Sequence, residues 1–356
     1  MRLSVEVGHP AHVHYWRNVI NILRTRGHEV TVFAREKEIT IKLLRAYGLK
    51  YETVGRSRPV LLAKAIGVGI DDLRVLRAAH SKGIELLLST GIPGSAHASR
   101  VLGVPHIALI DTEIATLGRL LTEPFSDAVC TPECFQGRID PAKHIRFRGY
   151  LELMYLHPAY FRPDPSILDA VGVTRDERYA VVRFSSWNSS HDLRRNGSIL
   201  GSHKARLDLI RGLAEHYRVF VSSEIPLPSA FEPFCLQIPP ERLHDFLAFA
   251  SLYVGEGATM ASEAGVLGVP WIYVSQSPRS YLADQERRYG LGRSAGSLDE
   301  ALSQVNRWSN QGTRAEWARK RERLLADSVD VSRFMADLVE GWPEHTAASG
   351  GKGHGG

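Results

Sequence analysis

The residue runs best suited to chemistry each follow a short apolar segment. The most organised lies between Ala250 and Val274. Leu252 to Val254 reads as a strand, Gly255 and Gly257 bracket a turn, and a small-residue helix opens near Thr259. Gly268-Val269-Pro270 stops that helix, and Trp271 to Val274 reads as a second strand. Glycine admits backbone geometries that a Cβ blocks. The first four N–H groups of a helix have no intrahelical partner, and the helix dipole favours negative charge there. A turn made of Gly255, Gly257, Ala258, Thr259 and Met260 can therefore hold a phosphate or diphosphate. Glu263, one turn into the helix, is placed to accept hydrogen bonds from a ribose or sugar hydroxyl. The plainer alternative is an ordinary βαβ turn with Glu263 in solvent.

Other runs repeat the pattern. Gly8, His9, His12 and His14 follow the first strand within seven residues. Histidine titrates near neutrality, so His12 can act as a base or contact substrate. No carboxylate or cysteine accompanies these histidines, which argues against metal; the alternative is loop packing. Asp111 and Glu113 end another strand, as candidate bases or hydroxyl ligands, or as helix caps. Ser89-Thr-Gly-Ile-Pro-Gly-Ser95 is a second glycine-bearing turn, best read as a turn alone. Arg183 and Ser185 open a polar loop running to Asp192 that could face a diphosphate, since guanidinium groups bind phosphate in pairs of hydrogen bonds. Ser222 and Glu224 end the next strand in the same manner. Asp284 and Gln285 are candidate sugar-hydroxyl ligands, or part of a charged helix face.

The elements that position these runs alternate. Strands are expected at 1–7, Glu29–Ala34, Leu86–Ser89 and His106–Ile110, with helices from Tyr15, at Thr40–Tyr47, Asp71–Lys82 and Ser95–Leu102. The pattern breaks near Gly149–Pro165 and resumes with strands Tyr179–Phe184 and Arg218–Ser222 and helices Lys204–His216 and Pro240–Ala250. Such alternation indicates parallel sheets covered on both faces, with ligands at the carboxyl ends of the strands. The expected organisation is a first α/β domain over 1–150, a connector over 151–165, a second domain over 166–343 and a disordered tail over 344–356.

Length and composition fit this division. A chain of 356 residues exceeds what one core usually serves. Apolar content of 44% and charged content of 23% describe a globular protein, and no apolar run is long enough to span a membrane. The N-terminus shows no signal pattern, and three cysteines, Cys130, Cys134 and Cys235, are too few for a disulfide framework, so a cytoplasmic location is expected. A net charge of +5 suits an anionic small molecule or membrane surface and gives no nucleic-acid footprint. No phosphate-loop, complete dinucleotide or nucleophile-elbow motif is present.

Gly8–His14 with Arg26-Gly-His-Glu-Val30 resembles the N-terminus of the lipid II-forming N-acetylglucosaminyltransferases. Gly255-x-Gly-Ala-x-x-x-Ser-Glu263, Leu267-Gly-Val-Pro270 and Asp284-Gln285 resemble their nucleotide-sugar half. Together with Arg183-Phe-Ser-Ser-Trp187 and Ser222-Ser-Glu224, the chain from 1 to about 330 is similar to a prokaryotic family of predicted glycosyltransferases. The first loop has proline and alanine where the better-known enzymes have further glycines, and Arg183–Trp187 lacks their Gly-Gly-Ser turn. The resemblance implies the GT-B architecture: two Rossmann-like domains whose parallel sheets face each other across a cleft. It implies Glu263 on the ribose of a UDP-sugar, the Gly255–Thr259 turn on the diphosphate, Asp284 and Gln285 on the donor sugar, and His12 on the acceptor side. The implied activity is metal-independent transfer of a sugar to a hydroxyl acceptor (a glycan, a lipid-linked or a small molecule) in cell-surface glycan or glycolipid assembly. No cofactor beyond the nucleotide-sugar substrate is expected, and a peripheral membrane contact is compatible with a lipid-linked acceptor. Two rival readings are an enzyme like the non-hydrolysing UDP-N-acetylglucosamine 2-epimerases, which share the architecture, and a non-catalytic nucleotide-sugar-binding protein.

Overall fold

A computed structural model describes residues 1–36, 38–56, 61–110, 112–114, 116–184, 199–223, 227–311 and 314–350. The chain forms two compact units: Met1–His157 with Ser328–Gly356, and Pro158–Asp327.

The first unit holds a seven-stranded parallel sheet: β1 (Arg2–Val7), β2 (Glu29–Glu36), β3 (Tyr51–Arg56), β4 (Leu86–Thr90), β5 (His106–Leu109), β6 (Ala128–Pro132) and β7 (His144–Phe147), in the order β3-β2-β1-β4-β5-β6-β7. The second holds β8 (Tyr179–Arg183), β9 (Arg218–Ser222), β10 (Leu252–Gly255), β11 (Trp271–Val274) and β12 (Gly292–Ala295), in the order β12-β11-β10-β8-β9. In each sheet the chain starts near the middle, builds to one side, then crosses and builds to the other. That reversal places a crevice at the carboxyl ends of the central strands.

Successive side chains of a strand point to opposite faces, so a sheet buried on both sides needs apolar residues at nearly every position. In the second unit Ala180, Val182, Leu252, Val254, Ile272 and Val274 pack into one core, while Tyr179, Val181, Tyr253, Trp271 and Tyr273 pack into the other. This explains why the strands read as continuous apolar runs.

The unit boundaries differ from expectation. Tyr150, Leu151, Leu153, Met154, Tyr155 and Leu156 are buried in the first unit, where the first helix (Pro10–Thr25) reaches them: Asn18 Nδ2 donates to Met154 O at 2.7 Å. The first part of the expected connector is therefore core. The last helix, Val331–Gly350, also belongs to the first unit. Ser332 Oγ donates to Met154 O at 2.7 Å, and Arg26 pairs with Asp337. The second unit consequently ends at Asp327, and the residues after Glu344 continue a helix to Gly350. Residues 351–356 lie outside the described part.

Candidate functional site

The parallel registers bring several candidates to one edge of the second sheet. Ser222, Arg183, Gly255 and Tyr273 stand abreast across β9, β8, β10 and β11. Arg183 Nη1 donates to Ser222 Oγ at 3.1 Å. A Cβ on Gly255 would lie 2.1 Å from Arg183 O, so glycine is required for the two strands to approach here. Glu256 N–H donates to that same carbonyl at 3.0 Å, and the Tyr253 hydroxyl donates to Gly257 O at 2.8 Å. Burial raises the Tyr253 pKa, which keeps this hydroxyl protonated.

The helix Ala258–Leu267 follows, with Gly257, which has no side chain to cap it, as N-cap, and among the described residues no side chain accepts from its first-turn amides. Its first-turn amides at Ala258, Thr259 and Met260 open at the sheet edge, with the stem of Arg183 next to Gly257. The Met260 side chain is buried, so that residue has only its backbone N–H to offer. The helix closes at Gly268, whose φ of +80° belongs to the left-handed region.

Glu263 is 6% exposed, and its Oε1 lies 2.9 Å from Nε2 of the equally buried His244. The helix Leu243–Phe249, just before β10, supplies that histidine. Nothing in sequence spacing signals it. Arg206, buried against the Phe184 ring with its Nε donating to Leu200 O at 2.7 Å, is another cation beside β8 that sequence reasoning misses.

Gln285 requires a correction. It is fully buried, accepting from Trp271 Nε1 at 3.1 Å and donating to Ser262 Oγ at 2.8 Å. It ties the Ala258–Leu267 helix to β11 and has no surface with which to touch a sugar. Asp284 is 8% exposed and pairs with Arg287 at 3.1 Å. Ser185 and Glu224 lie outside the described residues.

In the first unit the loop histidines have separate tasks. His9 is the N-cap of the first helix, accepting from Ala11 N–H at 3.2 Å. His14 is buried against Tyr155 and meets the Tyr47 hydroxyl at 3.2 Å. His12 Nδ1 accepts from Gly8 N–H at 3.4 Å, which leaves the proton of the neutral ring on Nε2. Desolvation, with His9 and Arg35 nearby, pushes its pKa down to about 3. Among the described residues no group of His, Cys, Asp and Glu converges in a metal-binding arrangement. Glu113 Oε1 accepts from Gln136 N–H at 2.9 Å and so braces a loop, while Asp111 lies outside the described residues.

The second glycine-bearing turn is filled from within. Glu6, fully buried on β1, reaches the N-terminus of the helix Pro93–Leu102. Its Oε2 accepts from both Ser95 N–H and Ser95 Oγ at 2.8 Å, and its Oε1 accepts from Arg35 at 3.0 Å. Nearby, Asp72 Oδ2 lies 2.6 Å from His97 Nδ1. None of these acidic or histidine partners stood out in the sequence.

Two parallel-sheet α/β units of this kind define the GT-B fold, and solved glycosyltransferases and UDP-N-acetylglucosamine 2-epimerases share it. The 2-epimerase of Neisseria meningitidis, solved with UDP-N-acetylglucosamine bound, is 11% identical, with 95% of this chain and 99% of that chain covered and a TM-score of 0.62. MurG of Acinetobacter baumannii is 12% identical, with 96% and 99% covered and a TM-score of 0.60. In sequence, an uncharacterized protein of Methanocaldococcus jannaschii is 22% identical over 297 residues, which are 75% of this chain and 80% of that one. The family model described as "Protein of unknown function (DUF354)" matches residues 1–293, and the chain belongs to that family.

Proposed function

We propose that the protein is a glycosyltransferase that moves a sugar from a UDP-linked donor to a hydroxyl acceptor in cell-surface glycan or glycolipid assembly. The observation that carries this reading is the contrast between two strand-glycine-helix turns. The chain fills the helix end at Ser95 with its own Glu6 carboxylate, whereas among the described residues no side chain accepts from the amides of Ala258, Thr259 or Met260. An uncapped helix N-terminus beside Arg183, with a buried carboxylate one turn in, suits a diphosphate followed by a ribose diol.

In this reading the sugar–phosphate bond breaks as negative charge grows on the diphosphate. The amides of Ala258, Thr259 and Met260 and the Arg183 guanidinium stabilise that charge, and loss of one such donor typically costs on the order of 100-fold in rate. Glu263, oriented by His244, accepts from the ribose hydroxyls. His12 serves the acceptor end. Its neutral ring carries the proton on Nε2, so it can orient an acceptor oxygen by donation, and it acts as base only after the tautomer changes.

A 2-epimerase reading draws on the Asp72–His97 pair, an acid–base couple in the first unit. One experiment separates the two. With UDP-N-acetylglucosamine alone in heavy water, an epimerase places deuterium at C2 of the sugar and a transferase does not. Consumption of donor with an acceptor panel, without C2 exchange, supports transfer. Saturable donor binding with neither outcome would leave a non-catalytic binding protein and overturn the enzymatic reading.

A further inference from the structure

All strands of the second sheet run parallel, so their amino ends form an edge opposite the Gly255 turn. A cavity of about 260 Å³ opens there, where Arg178, Ser251 and Pro270 lead into β8, β10 and β11. Its walls are aromatic. Trp308 and Trp317 meet edge to face with centroids 5.2 Å apart, Lys320 Nζ lies 3.8 Å over the Trp317 ring, and Tyr217 and Phe249 add two further rings to the lining.

Cations are built into those walls. Arg178 lies 4.8 Å over the Tyr217 ring and donates to the Tyr217 hydroxyl and to Ser309 O, each at 3.1 Å. Arg314 lies 5.9 Å from the Phe249 ring and donates to Phe249 O at 3.1 Å. Arg175 adds a third guanidinium at the exposed rim. Of the two lining acids, Glu177 already accepts from Arg218 and from Thr174 N–H. Positive charge therefore exceeds the negative charge left to oppose it.

Indole faces bind flat ring systems, and guanidinium groups anchored to backbone carbonyls bind phosphate or carboxylate. The volume lies below the roughly 300–1,000 Å³ of sites for drug-sized molecules, which limits the occupant to one ring system and its acidic group. We propose that this cavity is a second ligand site, for a small planar aromatic molecule carrying a phosphate or carboxylate, at the sheet edge opposite the Gly255 turn. It stands independently of the glycosyltransferase reading.

Phenyl phosphate, benzoate and UMP serve as probes, read by quenching of tryptophan fluorescence and by the shift in Tm. At least one is expected to give a saturable response in the full chain. UMP alone would point to a mononucleotide, and phenyl phosphate or benzoate to an aromatic acid. Arg175 and Arg314 are exposed, so Arg175→Ala and Arg314→Ala remove charge without opening the core. Each is expected to weaken the response by about tenfold, a loss of about 1.4 kcal/mol, while Glu263→Ala leaves the phenyl phosphate and benzoate responses unchanged. UMP, which the proposed donor site would also bind, is read in the Glu263→Ala background. No saturable response to any probe would overturn the proposal. So would a response that survives both arginine substitutions, or one that disappears in folded Glu263→Ala and therefore belongs to the other edge.

Discussion

Replacing Glu263 tests the proposed donor contact most directly, because its surroundings allow two effects to be separated. The carboxylate and His244 are 6% and 4% exposed and meet at 2.9 Å. If Glu263 accepts from the ribose diol, Glu263→Ala removes hydrogen bonds to a charged group, worth about 1.5–3 kcal/mol. That corresponds to a rise of roughly ten- to 150-fold in Kd for UDP. The same change deprives a buried imidazole of an acceptor, at about 1–3 kcal/mol of stability. Glu263→Gln separates these effects. Its amide oxygen can still accept from His244, so Tm should stay near wild type while UDP affinity falls through loss of charge. His244→Ala is the converse: the carboxylate remains but loses its orienting partner, and affinity should fall by less than in Glu263→Ala. Calorimetric titration with UDP, with melting curves run in parallel, reads both quantities. A folded Glu263→Ala variant that binds UDP with wild-type Kd would refute the ribose role.

Three further outcomes are expected. In Gly255→Ala the new methyl would meet the Arg183 carbonyl at 2.1 Å, so β8 and β10 must part; overpacking of this kind costs about 1–3 kcal/mol, and an unchanged Tm would contradict the close approach. For His12→Ala, turnover should fall by roughly 100-fold with UDP affinity retained, whereas wild-type turnover would remove His12 from the reaction. His106 is fully buried between Ser89 Oγ at 3.0 Å and Ser126 Oγ at 2.9 Å, and burial lowers its pKa from 6.5 to about 3. The unfolded chain takes up that proton near pH 6.5 and the folded chain only near 3, so the stability present above 6.5 is lost as pH falls across that window. His12 acts in the same direction. Urea unfolding at stepped pH should show the decline, reduced in His106→Gln; a decline of equal size in that variant would exclude His106 as a source.

The alternation of strand and helix was legible because sheets covered on both faces demand apolar runs, and β9 and β11 fall where those runs predict. β3, β6, β7 and β12 went unread. Of these, β3, β7 and β12 are edge strands, where one flank lacks a neighbour and polar residues such as those of Tyr51–Arg56 are tolerated, whereas β6 (Ala128–Pro132) is a buried interior strand whose short run was overlooked. The unit boundary was misplaced because the prolines from Pro158 onward look like a linker, although the apolar run before them is core. Within the candidate site, what could be read was backbone: glycines at a strand's carboxyl end and a helix to follow. What could not be read was who holds whom, since Glu263 meets its histidine across 19 residues and Gln285 reaches Ser262 across 23. No periodicity links such pairs. Asp284-Gln285 thus looked like one ligand pair, yet one residue is an internal strut and the other a carboxylate held by Arg287. The two glycine-bearing turns carry the sharpest form of this point. Locally they are alike, and what separates them is Glu6, 89 residues before Ser95, which occupies one helix end with a carboxylate. An anion site on such a turn therefore depends less on its glycines than on whether a distant part of the chain has already supplied the negative charge.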